Sequence, residues 1–133
     1  MPITDLDQLI KRMQPVLNPG VFAFVSVNSA EALKSVTVIA SIWESEGYSA
    51  VIEERDALSL GLKIMFRAGW ITLNVNSDLQ AVGLTAAFAG ALGKAGISCN
   101  VVAGAWHDHI FVPIERASAA MDVLKNLQKS VNV

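Results

Sequence analysis

Apolar residues recur along this chain with two different periods, and each change of period marks an element. Leu6, Leu9, Ile10 and Met13 fall at helical spacing and predict a short amphipathic helix over 4–13. Pro15, Pro19 and Gly20 then break the chain. Residues 21–27, rich in Val and Phe and bounded by Gly20 and Asn28, read as a strand. Over 36–46 the two periods compete. The β-branched residues favour a strand, but Val36, Ile39, Ala40 and Trp43 keep helical spacing and Gly47 sits where a helix cap belongs, so a helix is expected. A strand over 49–54, one helical turn over 56–60 closed by Gly61, and a short strand over 62–66 complete the first half.

The second half is cleaner. Ile71, Leu73 and Val75 alternate with Thr72, Asn74 and Asn76, the period of a half-buried strand. Ser77-Asp78-Leu79-Gln80 has the form of a capping box, which predicts a helix from Ser77 to about Ala95 with Gly96 as its stop. Strands follow over 97–102 and 107–112, joined by a turn at Ala103-Gly104-Ala105 and ended by Pro113. Ala117, Ala120, Met121, Leu124 and Leu127 form the stripe of an amphipathic helix over 115–129. The order β-α-β-β-α is one strand short of a ferredoxin-like βαββαβ unit. Residues 131–133 are too few to supply it, so a sheet shared with the first half is expected. No strong internal repeat accompanies this pairing.

Composition narrows the class. Of 133 residues, 53% are hydrophobic and only 17% charged, which excludes a disordered chain and predicts apolar surface buried against another copy or another protein. A net charge of −2 with scattered Lys and Arg gives no case for nucleic acid. The first twelve residues carry Asp5, Asp7, Lys11 and Arg12 and no apolar run, so no signal peptide is predicted. The uncharged stretch 79–93 is too short and too rich in Gly and Ala for a membrane span. The single Cys99 forms no internal disulfide; it fits a reducing compartment or carries no information on this point, and a cytoplasmic location is expected.

At 76–113 the residues resemble a known family. Ser77-Asp78-Leu79-Gln80-Ala81-Val82-Gly83-Leu84-Thr85, Gly96-Ile97-Ser98-Cys99-Asn100-Val101-Val102-Ala103-Gly104 and His107-Asp108-His109-Ile110-Phe111-Val112-Pro113 resemble small bacterial tandem ACT-domain proteins. Glu46-Gly47-Tyr48-Ser49-Ala50-Val51-Ile52 looks like the same family's first-half strand entry. The wider superfamily is similar to the regulatory tail of aspartokinase and to the cytosolic arginine sensor of animal cells. The resemblance implies an α+β fold of two ferredoxin-like βαββαβ ACT units in tandem, 1–67 with the N-terminal helix and 68–133, with side-by-side antiparallel sheets. It also implies a homodimeric regulatory module that binds a free amino acid where ACT units meet and passes that occupancy to a separate protein. An interaction module that binds no ligand is the alternative.

Candidate contacts follow. A helix opening at Asn76, Ser77, Asp78, Leu79, Val82 and Gly83 would offer free amides to a ligand carboxylate, and Gly83 would let it approach the backbone. A carboxylate is needed for the ammonium. Asp78 and Asp108 are the options within this half, and the resemblance alone assigns Asp108 the contact; Asn100, on the opposite strand face from Cys99, and His107, at a polar strand entry, are further candidates. His107 and His109 share a strand face, but no other His and only one thiol exist to complete a metal site, so none is expected. Cys99 reads as a small apolar residue. The glycines at 83, 90, 93 and 96 form no phosphate loop, and the adjacent Glu53 and Glu54 point opposite ways. Neither a cofactor nor an enzyme activity is predicted. The uncharged face of the helix over 79–93 is expected at an interface.

Overall fold

A computed structural model of the chain describes residues 5–75 and 78–131. The elements run α1 (Leu6–Arg12), β1 (Pro15–Val27), β2 (Ala40–Glu44), β3 (Gly47–Glu53), α2 (Glu54–Ser59), β4 (Phe66–Leu73), α3 (Leu84–Lys94), β5 (Asn100–Ala103), β6 (Asp108–Pro113) and α4 (Ala117–Lys129), with 3₁₀ turns at Ala30–Leu33 and Ile114–Arg116. The chain divides into two compact units, Pro19–Ala68 and the combination of 1–18 with 69–133.

In the Pro19–Ala68 unit the strands lie in the order β2-β3-β1-β4. β2 and β3 form a hairpin around Ser45-Glu46, with Glu44 opposite Gly47 and Ala40 opposite Val51. β3 pairs antiparallel with Phe22–Val27. The opening of β4 is drawn in by the Met65 N–H, which donates to the Phe24 carbonyl at 2.9 Å. Ala23, Val25, Val27, Leu33, Ala50, Ile52 and Ala57 form the core. Arg67 grips Glu54 through Nε and Nη2, which donate to its two carboxylate oxygens, and this holds the Glu54 carboxyl below its usual range.

The helix expected over 36–46 is not there. Ala40–Glu44 is a strand, and the helical position before it shrinks to the 3₁₀ turn Ala30–Leu33. Helical spacing lost to pairing: the Ile39 N–H donates to the Val51 carbonyl at 2.8 Å, and Trp43 packs on Tyr48 across the hairpin with ring centroids 4.5 Å apart. Such cross-strand contacts suit β-branched and aromatic residues, whose χ1 freedom a helix would restrict. Likewise 62–65 forms no strand of its own; β4 begins at Phe66.

The unit of 1–18 and 69–133 has the strand order β1-β4-β6-β5. Here only the start of β1, Pro15–Asn18, takes part. The Asn74 N–H donates to the Gln14 carbonyl at 3.3 Å, and Asn18 Nδ2 donates to the Trp70 carbonyl at 3.1 Å and to Thr72 Oγ1 at 2.9 Å. The two strands are therefore antiparallel. In ferredoxin-like numbering the unit reads fourth-first-third-second, so Pro15–Asn18 is the strand that the second half lacks. The prolines expected to break the chain, Pro15 and Pro19, stand inside β1. β3 pairs only from Phe22 onward, so one long side of the stretch before it needs no donors.

α1, α3 and α4 cover one face. Leu9 and Ile10 of α1, and Met13 just after it, share a core with Ile71, Leu73, Phe88, Leu92, Ile110, Val112 and Leu124. The N-terminal helix thus packs with the second half of the sequence, although it precedes the first. Asp5 caps it by accepting from the Gln8 N–H at 3.0 Å.

Candidate ligand-binding site

The helix expected to open at Ser77 opens at Leu84 instead. Asn76 and Ser77 lie outside the described residues. Asp78 folds the chain back on itself: its Oδ1 accepts from the Gln80 N–H at 2.8 Å and its carbonyl from the Ala81 N–H at 2.9 Å. A short polar side chain that satisfies local backbone donors competes with helix in this way. Gly83 then adopts φ +104 and precedes the first helical turn without any side-chain cap. A Cβ on Gly83 would come within 3.1 Å of the Leu6 side chain, so its close approach is to α1. The uncapped amides of the first turn belong to residues around 84–86, and Leu79 and Val82 stand exposed on the loop before them, at 67% and 85%.

Asp108 begins β6, opposite Ala103 of β5. Alternation along the strand places it on the face of Ile110 and Val112, which lie in the core under the helices. It is only 8% exposed, the one buried charged residue among those described. Its carboxylate makes no side-chain hydrogen bond to a described residue. No fully enclosed side-chain nitrogen or oxygen lacks a partner among the described residues, so the Asp108 oxygens keep an opening to solvent. Burial pushes its pKa up, and the neighbouring His109 partly offsets this. A carboxylate so placed is stabilised by any cation that reaches it.

The other expected contacts divide between two faces. His107, on the opposite side from Asp108, stands with Nδ1 3.5 Å from the Val75 carbonyl, which ties the start of β6 to the end of β4. Asn100 lies opposite Phe111, and its Nδ2 donates to the Phe111 carbonyl at 3.3 Å. Asp108 and the 78–83 loop therefore share one end of this unit, whereas Asn100 serves the sheet. Cys99 is half-buried against the core, and burial raises its pKa. Among the described residues no group of three or more His, Cys, Asp and Glu side chains could hold a metal.

One arrangement escaped the sequence reading. Trp70 Nε1 donates to His109 Nδ1 at 3.1 Å. Thr72 Oγ1, which accepts from Asn18, lies 3.2 Å from the same ring nitrogen. An indole nitrogen only donates, so Nδ1 accepts and neutral His109 carries its proton on Nε2. Trp70 also stacks on Phe111, with centroids 6.1 Å apart. Burial lowers the His109 pKa; the like charge of His107 adds to this and Asp108 opposes it. The available signal was the period-two alternation that puts Trp70 with Thr72, and His109 with Phe111, on one face.

Models of the ACT domain match this chain twice, over 1–69 and 66–126. The chain belongs to the ACT-domain family. A Vibrio cholerae protein of unknown function, described as a possible transport protein, shares 43% identity over 92% of this chain and 95% of its own, with a TM-score of 0.85. The regulatory subunit of aspartate kinase from Thermus thermophilus, in ligand-free form, has a TM-score of 0.67 at 12% identity, covering 85% of this chain and 95% of that one. An Agrobacterium tumefaciens protein has a TM-score of 0.65 at 14% identity, covering 86% and 87%. No curated protein matches. The strand orders of both units are the ACT arrangement, and no helix among the described residues is long and apolar enough to cross a membrane.

Proposed function

We propose that this ACT-domain protein is a non-catalytic regulatory module of the cytoplasm that binds a free amino acid in its 69–133 region. The ligand ammonium pairs with Asp108, and its carboxylate takes the uncapped amides at the start of α3. The observation that carries this reading is Asp108 itself: a carboxylate 8% exposed, held on the core face, with no side-chain hydrogen bond among the described residues. Natural chains rarely keep such a group unless something pairs with it. The ACT family membership supports an amino acid as the ligand, and the aspartate kinase regulatory subunit it resembles supports a regulatory role.

Ligand occupancy would be passed to a separate protein. The module works as a homodimer, with the small-residue side of α3, where Gly90 and Gly93 face open space, as the expected contact. A thermal-shift panel of all twenty amino acids tests the binding. At least one raises the melting temperature of the wild-type chain and leaves that of Asp108→Asn unchanged. A panel without any shift sinks the reading. It then favours a module that only assembles, for which Ile42 and Trp43, exposed at 64% and 62% on β2 at the sheet edge, would be the surface.

A further inference from the structure

Three loop side chains narrow the ligand that such a site accepts. Leu79 and Val82 precede α3, and Trp106 lies in the turn between β5 and β6, exposed at 71%. The two loops meet the sheet at one end, because β6 starts where β4 finishes: His107 Nδ1 sits 3.5 Å from the Val75 carbonyl. Asp108 begins at this same end. Large apolar side chains are costly to leave in water, and three of them stand exposed on the two loops at the end where Asp108 begins β6.

The charges point the same way. Residues 78–83 and 104–109 contain no Lys or Arg. Their acids are Asp78 and Asp108, and Asp78 already turns one oxygen to the Gln80 N–H. A ligand with an acidic side chain would find two carboxylates and no Lys or Arg on these loops. A cationic side chain would have to lie among Leu79, Val82 and Trp106. A zwitterion with an apolar side chain uses every group present: Asp108 for the ammonium, amides of α3 for the carboxylate, and the loop side chains for the remainder.

We infer that the site selects amino acids with large apolar side chains, of the leucine, phenylalanine or tryptophan kind. This inference rests on the amino-acid reading above and adds the side-chain class to it. The test is calorimetric titration of the full chain with leucine, phenylalanine and tryptophan, then with lysine, arginine, aspartate and glutamate. The apolar set binds at least tenfold more tightly than the charged set. Val82→Asp and Trp106→Ser, both at exposed positions outside the core, each weaken leucine or phenylalanine by roughly tenfold while circular dichroism stays unchanged. Tighter binding of lysine, arginine or glutamate overturns the side-chain class and leaves the amino-acid reading standing. So does wild-type affinity for leucine and phenylalanine in both variants. Failure of all seven ligands, and of the remaining amino acids, overturns the reading and this inference together.

Discussion

The two ACT units of this chain solve the same strand order with opposite economies. Pro19–Ala68 draws all four strands from one contiguous run but spends little on helices: a 3₁₀ turn stands where the first helix belongs, and α2 has only six residues. The other unit has full-length α3 and α4 and a third helix, α1, yet takes its fourth strand from the far end of the sequence. A unit with a thin helical layer has few buried groups to spare. The unit with three helices holds a buried carboxylate at Asp108 that makes no side-chain hydrogen bond among the described residues, and its larger core can carry that cost. The same comparison shows that α1 and the start of β1 pack with the second half of the sequence.

Removing residues 1–18 breaks the comparison most severely. It takes away a strand and three buried core side chains, Leu9, Ile10 and Met13. Amide spectra of the truncated chain are expected to lose dispersion for residues of 69–131. Retention of a folded 69–131 would make the N-terminal segment an accessory. A gentler form is Leu9→Ala. Leu9 is fully buried, so the loss is about 2–5 kcal/mol in urea unfolding. A cost below about 1 kcal/mol would mean that α1 merely rests on the surface.

Much of this organisation was legible beforehand. The βαββα run of the second half, the helices at each end and the turn at Gly61 all followed from periodicity and caps, since each is a local property. Two features were hidden because they are not local. Ala40–Glu44 carries a helical spacing that its pairing with β3 overrides. The strand at Pro15–Asn18 contains a proline and is followed at once by another, and its role depends on β4, more than fifty residues away. At the site, Ser77-Asp78-Leu79-Gln80 carried a genuine capping pattern. Asp78 spends its side chain on a local turn, and the helix waits for Gly83. The acidic position at 108 came from family resemblance; its burial became visible only in three dimensions.

Gly83→Ala sharpens the account of α3. The left-handed φ and the 3.1 Å approach to Leu6 predict a loss of roughly 1–2 kcal/mol, reported by chemical unfolding. A neutral or stabilising result would place the start of α3 elsewhere.

Smaller effects come from pH. The folded state lowers the His109 pKa, so its contribution is present above the free value of 6.5 and is lost as pH falls from there through the folded value. Protonation also sets a donor against the Trp70 N–H. Melting temperature should therefore drop on going from pH 7 to 5.5, and Trp70→Phe should flatten that drop. Asp108 has the opposite sign. Its pKa is raised from 3.8, so its contribution is present below 3.8 and is lost as pH rises through the folded value. Asp108→Asn should thus raise the melting temperature at neutral pH in the absence of ligand. A fall would mean that the carboxylate has a structural partner.

The central claim is that the unit with the buried acid, and not its thinner neighbour, receives the ligand. The most direct measurement is a two-dimensional amide spectrum of the labelled full chain, titrated with whichever amino acid raises its melting temperature. The account predicts that the largest shifts fall on residues 78–86 and 107–110, while 40–53 stay in place. Shifts concentrated in Pro19–Ala68, with Asp108 and its neighbours unmoved, would contradict it.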